Sequence, residues 1–396
     1  MVSAVDYDDS QPAAAWGAVL SMALCVAMLI ASEFMPVSLL TPMAAGLGAS
    51  EGQTGQAISV SGLFAIAASM TITTMAGRLN RKWVLVALTG FMLLSLVLVA
   101  AAPNFAVMMA GRALLGICVG GFWALATAII MRLVPAQDVS RALALMYGGQ
   151  AVAAAFAAPI GAYLGDLFGW REVFWAMTPV VAINLVWHVI ALPSLPAGER
   201  QDFRAMLGLL KRRYFLRGLG AVMLSWGSAF TMFTYLRPFL EQVTGANVTS
   251  LSVLLLLLGS AGFVGTWVAG RHVRGDVAPL LKLPALVMGA ATAGLLLFGF
   301  SAIAAGIFMT IWGMMNTLIS VIWLTWMAQN AGDLPEAGGS LMVAAIQASI
   351  LLGAVVGGLL LDGISIQATF VGSVVLAAIA LALIGNGQRM LKPGGT

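Results

Sequence analysis

Apolar runs long enough to cross a lipid bilayer recur down the whole chain, and a water-soluble core has no place for them. Twelve are read, at roughly 16–45, 52–76, 83–102, 105–130, 141–165, 172–192, 216–242, 248–270, 280–300, 303–327, 339–361 and 366–387. A helix needs about 20 residues to cross roughly 30 Å of hydrocarbon, and each run reaches that length. Backbone groups in lipid must be satisfied within their own segment, so runs like these become helices. Hydrophobic residues make up 61% of the 396 and charged residues 9%, far from the composition of soluble domains. Gly, Ala and Met saturate the runs, as close helix packing in lipid favours. The expected fold class is an all-α integral membrane protein with twelve transmembrane helices.

Orientation follows from the basic residues. With the N-terminus cytoplasmic, Arg78, Arg81, Lys82, Arg132, Arg141, Arg200, Arg204, Lys211, Arg212, Arg213, Arg217, Arg271, Arg274, Lys282, Arg389 and Lys392 are all inside, 16 of the 19 Lys and Arg. The positive-inside rule therefore places both termini in the cytoplasm. The net charge of +4 is then a topology signal and no pointer to nucleic acid. Cys25 and Cys118 both lie within runs, too few and too buried for a disulfide framework or a metal cluster. The polar start, residues 1–15, lacks the basic opening and cleavage site of a signal peptide and reads as a cytoplasmic tail.

Length allows two pseudo-symmetric six-helix bundles, and a repeat supports them. Ala76-Gly77-Arg78-Leu79-Asn80-Arg81 closes the second run and Ala269-Gly270-Arg271-His272-Val273-Arg274 the eighth, an offset of 193. Gly161, Asp166 and Phe174 are echoed by Gly357, Asp362 and Phe370 at an offset of 196. The bundles are drawn at 16–192 and 216–387. A polar linker joins them at 193–215, with an amphipathic helix near Phe203–Leu210, and a short tail follows at 388–396.

Glu33 stands deep in the first run and is read as the lone acid within any run. A carboxylate in hydrocarbon costs several kcal/mol, so such a group faces a wet interior and pairs with a cation or takes up a proton. Arg112, in the fourth run, sits at similar depth at about 1.5 Å per residue. Burial and pairing act on Glu33 in opposite directions, which suits a group that binds and releases a proton. A static ion pair that fixes helix register is the alternative. Arg237, before Pro238, either binds substrate, closes an outer gate or snorkels to the headgroups. Gln150, Asn184, Asn316 and Gln347 offer hydrogen-bonding edges, and Trp123, Trp226, Tyr235 and Trp312 offer flat faces for a neutral ligand. Each aromatic also serves as core or interface anchor. His188 reads as an interfacial histidine near the cytoplasmic end of the sixth run. No phosphate loop, metal-ligand spacing or acyl-transfer elbow is present, so neither an enzyme nor an ATP-driven pump has motif support, and an ion gradient supplies the energy.

Three stretches resemble the major facilitator superfamily, in particular its drug/proton antiporter branch. These are Gly111-Arg112 with Gly116, Gly120 and Gly121, then Gly148-Gly149-Gln150 through Ala158-Pro159-Ile160-Gly161, and the loop Gly77-Arg78-Leu79-Asn80-Arg81-Lys82. In the loop, Gly77 stands where the superfamily usually has Asp. The resemblance implies the major facilitator fold, a gating role for Gly77, Arg78, Arg81, Lys82 and Pro159, and a monomer in the bacterial inner membrane. More narrowly, Glu33 through Met43, Gly121-Phe122-Trp123-Ala124, Met131 through Pro135 and Thr234-Tyr235-Leu236-Arg237-Pro238 are similar to bacterial carriers that export purine ribonucleosides, relatives of sugar efflux permeases. It thus implies proton-coupled efflux of nucleosides such as inosine and guanosine, with Glu33 and Arg112 coupling the proton. Of the polar, aromatic and basic groups within the runs, Gln150, Trp226, Tyr235, Arg237, Trp312, Asn316, Gln347 and Trp123 are the ones expected around the substrate. Protons and lipid are the other partners, with no cofactor and no metal. Efflux of sugars or of varied drugs is the alternative, and a transporter-like sensor is a more distant one.

Overall fold

The computed structural model describes residues 14–75, 79–196, 203–272 and 277–392. Its helices run in order as α1 (Trp16–Leu47), α2 (Glu51–Met75), α3 (Arg81–Ala100), α4 (Phe105–Leu133), α5 (Val139–Phe168), α6 (Trp170–Ala191), α7 (Phe203–Leu210), α8 (Arg213–Phe233), α9 (Leu236–Gln242), α10 (Val248–His272), α11 (Leu283–Phe298), α12 (Ala302–Asn330), α13 (Pro335–Gly363) and α14 (Ile366–Ile384). Among the described residues eleven helices are long and apolar enough to cross a membrane, and α8 with α9, bent by 41°, form a twelfth crossing. The run expected as one helix at 216–242 is thus a broken span. Its break at Thr234 and Tyr235 lets Arg237 turn toward the other half of the molecule.

Buried apolar side chains divide into two clusters. One draws on residues 18–195. The other draws on 206–390, together with Val37, Leu40, Ile58, Ala158 and Ala162 of the first half. Helix contacts within each half repeat with the period seen in the sequence. A Cβ on Gly120 of α4 would lie 2.0 Å from the Ala65 carbonyl of α2, and one on Gly313 of α12 would lie 2.0 Å from the Leu258 carbonyl of α10. Both members of the pair are displaced by 193, the offset of the Ala-Gly-Arg motif. Lipid offers no hydrophobic gain for helix association, so such backbone-to-backbone approach is what holds these pairs. Gly120→Val and Gly313→Val should each cost about 1–3 kcal/mol by overpacking and lower the thermal midpoint in detergent by roughly 1–4 °C. An unchanged midpoint for both would show that the approach is loose.

The flanks of the linker are tied to each half at one face, here the linker face. Asn80 accepts from the Leu195 N–H at 2.9 Å and donates to Ser194 at 2.7 Å, and Arg132 donates to the Pro196 carbonyl at 2.8 Å. On the second half Arg212 donates to both oxygens of Asp333, at 3.0 and 2.6 Å. Those bonds hold the Asp333 carboxyl well below the usual carboxylate range. Lys392 Nζ reaches the same group at 3.5 Å, and Trp326 donates to the Met390 carbonyl at 3.0 Å, so the segment after α14 packs down on this half.

Candidate functional site

Two prolines inside α1 organise the centre of the molecule. Proline has no N–H, so Pro36 and Pro42 leave the carbonyls four residues back, of Ser32 and Ser38, without helical partners. A bare carbonyl in a buried setting costs about 1–3 kcal/mol. Each is taken by one of the two arginines inside the spans. Arg112 of α4 donates through Nη1 to Ser32 O at 2.7 Å, and Arg237 of α9 donates through Nη1 to Ser38 O. Arg112 also donates to the Glu33 carbonyl at 3.1 Å and, through Nε, to the Ala57 carbonyl of α2 at 3.1 Å. It is 1% exposed.

The expected side-chain ion pair between Glu33 and Arg112 is therefore not formed. The guanidinium is occupied by three main-chain carbonyls, and among the described residues no ion pair includes Glu33. Arg112 acts on the carboxylate only through its longer-range field. The Glu33 side chain is buried at 4% exposure, and the group set beside it is the Gln347 amide of α13, in the other half. Gln347 Nε2 is directed at the Glu33 carboxyl but forms no bond of good geometry with it or with any other described group. The carboxyl and the amide thus face each other across the junction between halves.

Phe34, next to Glu33, packs on both core clusters. Its ring stacks at 5.9 Å on Phe230 and meets Phe233 edge-on at 5.9 Å, and Phe233 stacks on Trp312 at 5.5 Å with the planes 8° apart. Trp312 is 1% exposed with its indole N–H unpartnered. An aromatic wall of α1, α8 and α12 therefore stands beside the carboxyl and amide. Gln150 and Asn316 are half-buried.

Other residues expected around a ligand lie elsewhere. Trp226 is packed into the core of the second half, and Trp123 stacks on Tyr147 of α5 at 5.8 Å. Asn184 and His188, one turn apart on α6, are fully buried in the first half. His188 bonds Thr89 at 3.0 Å and so is a core group, not the interfacial histidine that its position had indicated. Tyr235 is fully buried at the face opposite the linker, where its hydroxyl donates to Ala354 O at 2.7 Å. A ring expected to stack on substrate thus forms part of a seal.

That seal joins the halves at the opposite face. Thr41 bonds Glu241 at 2.6 Å and Glu51 at 3.0 Å, and Gln242 reaches Glu51 at 3.2 Å. Asp362 accepts from the Ser50 hydroxyl at 2.5 Å and the Gly52 N–H at 3.0 Å. Arg237, besides taking Ser38 O, pairs with Glu241 at 2.7 Å. Glu241 lies within the seventh apolar run, so Glu33 is not the lone acid in the runs after all. Of the expected gating residues, Gly77 and Arg78 lie outside the described residues. Arg81 is 4% exposed and its N–H donates to Leu195 O at 2.8 Å, Lys82 lies over Trp83, and Pro159 sits buried in an unbroken α5.

Phe34, Thr41, Glu51, Glu241 and Asp362 were not expected at the junction. The usable signal was arithmetic: two interior prolines in one span, and two arginines in other spans to answer them. Pro42→Ala returns an N–H to Ser38 O and so removes Arg237's reason to dock there. Spin labels at Ala45 and Thr249, one on each half at the sealed face, should then show a larger share of long distances. An unchanged distribution would show that the other bonds across the halves, Thr41 to Glu241 and Asp362 to Ser50 and Gly52, suffice.

Comparison with known proteins places this architecture. A model of the Major Facilitator Superfamily matches residues 22–339. The chain is 44% identical over 393 residues, 98% of each protein, to "Transcription regulatory protein OpdE" of Pseudomonas aeruginosa. It is 37% identical over 377 residues, 95% of each, to "Purine ribonucleoside efflux pump NepI" of Escherichia coli K12. Among solved structures it resembles a bacterial homolog of the human lysosomal transporter Spinster in an inward-facing, unoccupied conformation. That match has a TM-score of 0.74 and 15% identity and covers 95% of this chain and 97% of the other. These matches point to a multi-pass membrane transporter and not to an enzyme. The chain belongs to the major facilitator superfamily.

Proposed function

We propose that this protein exports purine ribonucleosides in exchange for protons, the two halves rocking about the Glu33–Gln347 junction. The observation that carries the reading is Glu33: a buried carboxyl with no ion pair among the described residues, set between the halves and beside an uncommitted amide of the opposite half. An acid held this way is stable neutral, or charged when something replaces the missing donor. The likeness to the purine ribonucleoside efflux pump supports the substrate class, and the aromatic wall supports a flat ring over a sugar or an irregular drug.

With the linker face in the cytoplasm of a bacterial inner membrane, the seal lies outside and the cycle starts from a state closed to the exterior. A cytoplasmic nucleoside binds and Glu33 gives up its proton inward. The seal parts as the halves rock, the nucleoside leaves, and a proton from outside neutralises Glu33 before the return. Alternating exposure of a midplane site is what the repeated architecture serves.

The test is uptake of labelled inosine and guanosine into inverted membrane vesicles under an imposed pH gradient. Proton-dependent accumulation is expected, and its collapse with a protonophore. Uptake of sugars or cationic dyes in place of nucleosides would replace the substrate. The name of the 44% identical relative favours a second reading, a membrane sensor, with α7 and the segment after α14 as output. Both are pinned to the bundle. Nucleoside binding without any flux would favour that reading.

A further inference from the structure

Glu33 and Gln347 present an acceptor and a donor side by side, both buried, on opposite halves of the molecule. Gln347 Nε2 is a donor without a bond of good geometry in a site that is 6% exposed. A buried donor without a good bond gains when an acceptor reaches it. A carboxylate beside an amide N–H is the complement of one particular base edge. The N1–H and O6 of a 6-oxopurine offer a donor next to an acceptor. A 6-aminopurine offers the reverse, an N1 acceptor beside an amino donor. Phe34, the next residue on α1, stacks on Phe230 of the other half.

We infer that Glu33 and Gln347 read the N1–H/O6 edge of a 6-oxopurine, so that proton and substrate are rival ligands of one carboxyl; this rests on the export reading above. The ionised carboxylate accepts the N1–H, and in guanosine the 2-amino group as well, while Gln347 donates to O6. A protonated Glu33 has lost the charge-assisted bond and keeps only its neutral carbonyl oxygen for N1–H, a weaker acceptor. Binding of a 6-oxopurine therefore favours release of the proton, and protonation weakens the hold on the purine. No bond other than O–H is made or broken at Glu33, and the proton passes to water. The charged group acting on Glu33 is Arg112 of α4, held by its three carbonyls. Gln347 of α13 is neutral, and the nearby ring contacts from α8 and α12 are apolar or aromatic. The rivalry couples the two ligands without a relay between separate sites.

Equilibrium binding to the purified full chain tests this with four nucleosides: inosine, guanosine, 1-methylinosine, whose N1 carries no hydrogen, and adenosine. Inosine and guanosine should bind more tightly at pH 8 than at pH 6, releasing about one proton each. Losing one charge-assisted hydrogen bond should weaken 1-methylinosine roughly ten- to a hundredfold against inosine at pH 8. Adenosine should be discriminated against by a similar factor at pH 8, and less at pH 6. Glu33→Gln should flatten the pH dependence, and Gln347→Leu should narrow the preference for inosine over adenosine while keeping the proton release. Because the analogue series is read on the parent protein, misfolding of a variant does not blunt it. If 1-methylinosine binds as well as inosine, the edge is not read by Glu33 and the inference is wrong while nucleoside export stands. If no purine ribonucleoside binds at all, the export reading falls and takes this with it.

Discussion

Glu33→Gln should lose proton-driven accumulation altogether while exchange of labelled for unlabelled nucleoside across the vesicle membrane continues. Each pH unit is worth about 1.4 kcal/mol per proton moved. For one proton per nucleoside and a gradient of two units, the limiting accumulation ratio is on the order of 100, and in the variant it should fall to about 1. Glutamine keeps the size of glutamate and a carbonyl acceptor, so the site persists, but no proton binds or leaves. The variant is locked in the neutral condition that the carboxyl meets on the outside. A variant that accumulates nucleoside as the parent does, at every pH, would remove Glu33 from the coupling. Loss of both accumulation and exchange would instead point to a structural role at the α1–α13 junction.

How far the sequence reached depended on what kind of force placed each group. The spans, their number and their duplication were legible because hydrocarbon allows a backbone few options, and length and polarity report that constraint directly. The offset of 193 between motifs reappears as matched contacts, Gly120 on Ala65 and Gly313 on Leu258, since helix approach in lipid is set by small residues visible in the sequence. The centre was legible as a set of residues and not as a set of bonds. Glu33, Gln347 and Trp312 do stand at or near the junction. Arg112, by contrast, was matched to Glu33 by charge and depth, whereas its partners are main-chain carbonyls, groups that every residue carries and that no residue type announces. Only Pro36 and Pro42 mark which carbonyls are free. Tyr235 was misread because a ring with a hydroxyl serves equally as a stacking face or as a plug, and the break at Thr234 and Tyr235, which turns it into the seal, carries no glycine and only a downstream Pro238.

Arg112→Ala should be the most damaging single change to the fold. It strips partners from the Ser32, Glu33 and Ala57 carbonyls at once, and at about 1–3 kcal/mol for each bare group the loss exceeds that of an ordinary core substitution. Transport should vanish and the thermal midpoint should drop by roughly 4–10 °C. Arg112→Lys keeps the charge, but a single ammonium cannot bridge carbonyls on two helices as the planar fork does, so most of the loss should remain. Arg237→Ala should be milder, since one carbonyl at the seal is exposed and Glu241 keeps its bond to Thr41. The decisive variant is Pro36→Ala placed in the Arg112→Ala background. It restores an N–H to Ser32 O, so it should recover part of the lost stability, with a coupling of about 0.5–3 kcal/mol in a double-mutant cycle. Its effect on the parent, where Arg112 already serves that carbonyl, should be small or unfavourable. If Arg112 acted chiefly as the counter-charge of Glu33, Pro36→Ala would give no rescue, and Glu33→Gln would rescue instead. The two second-site changes therefore separate a guanidinium that props open a proline-broken helix from one that balances a carboxylate.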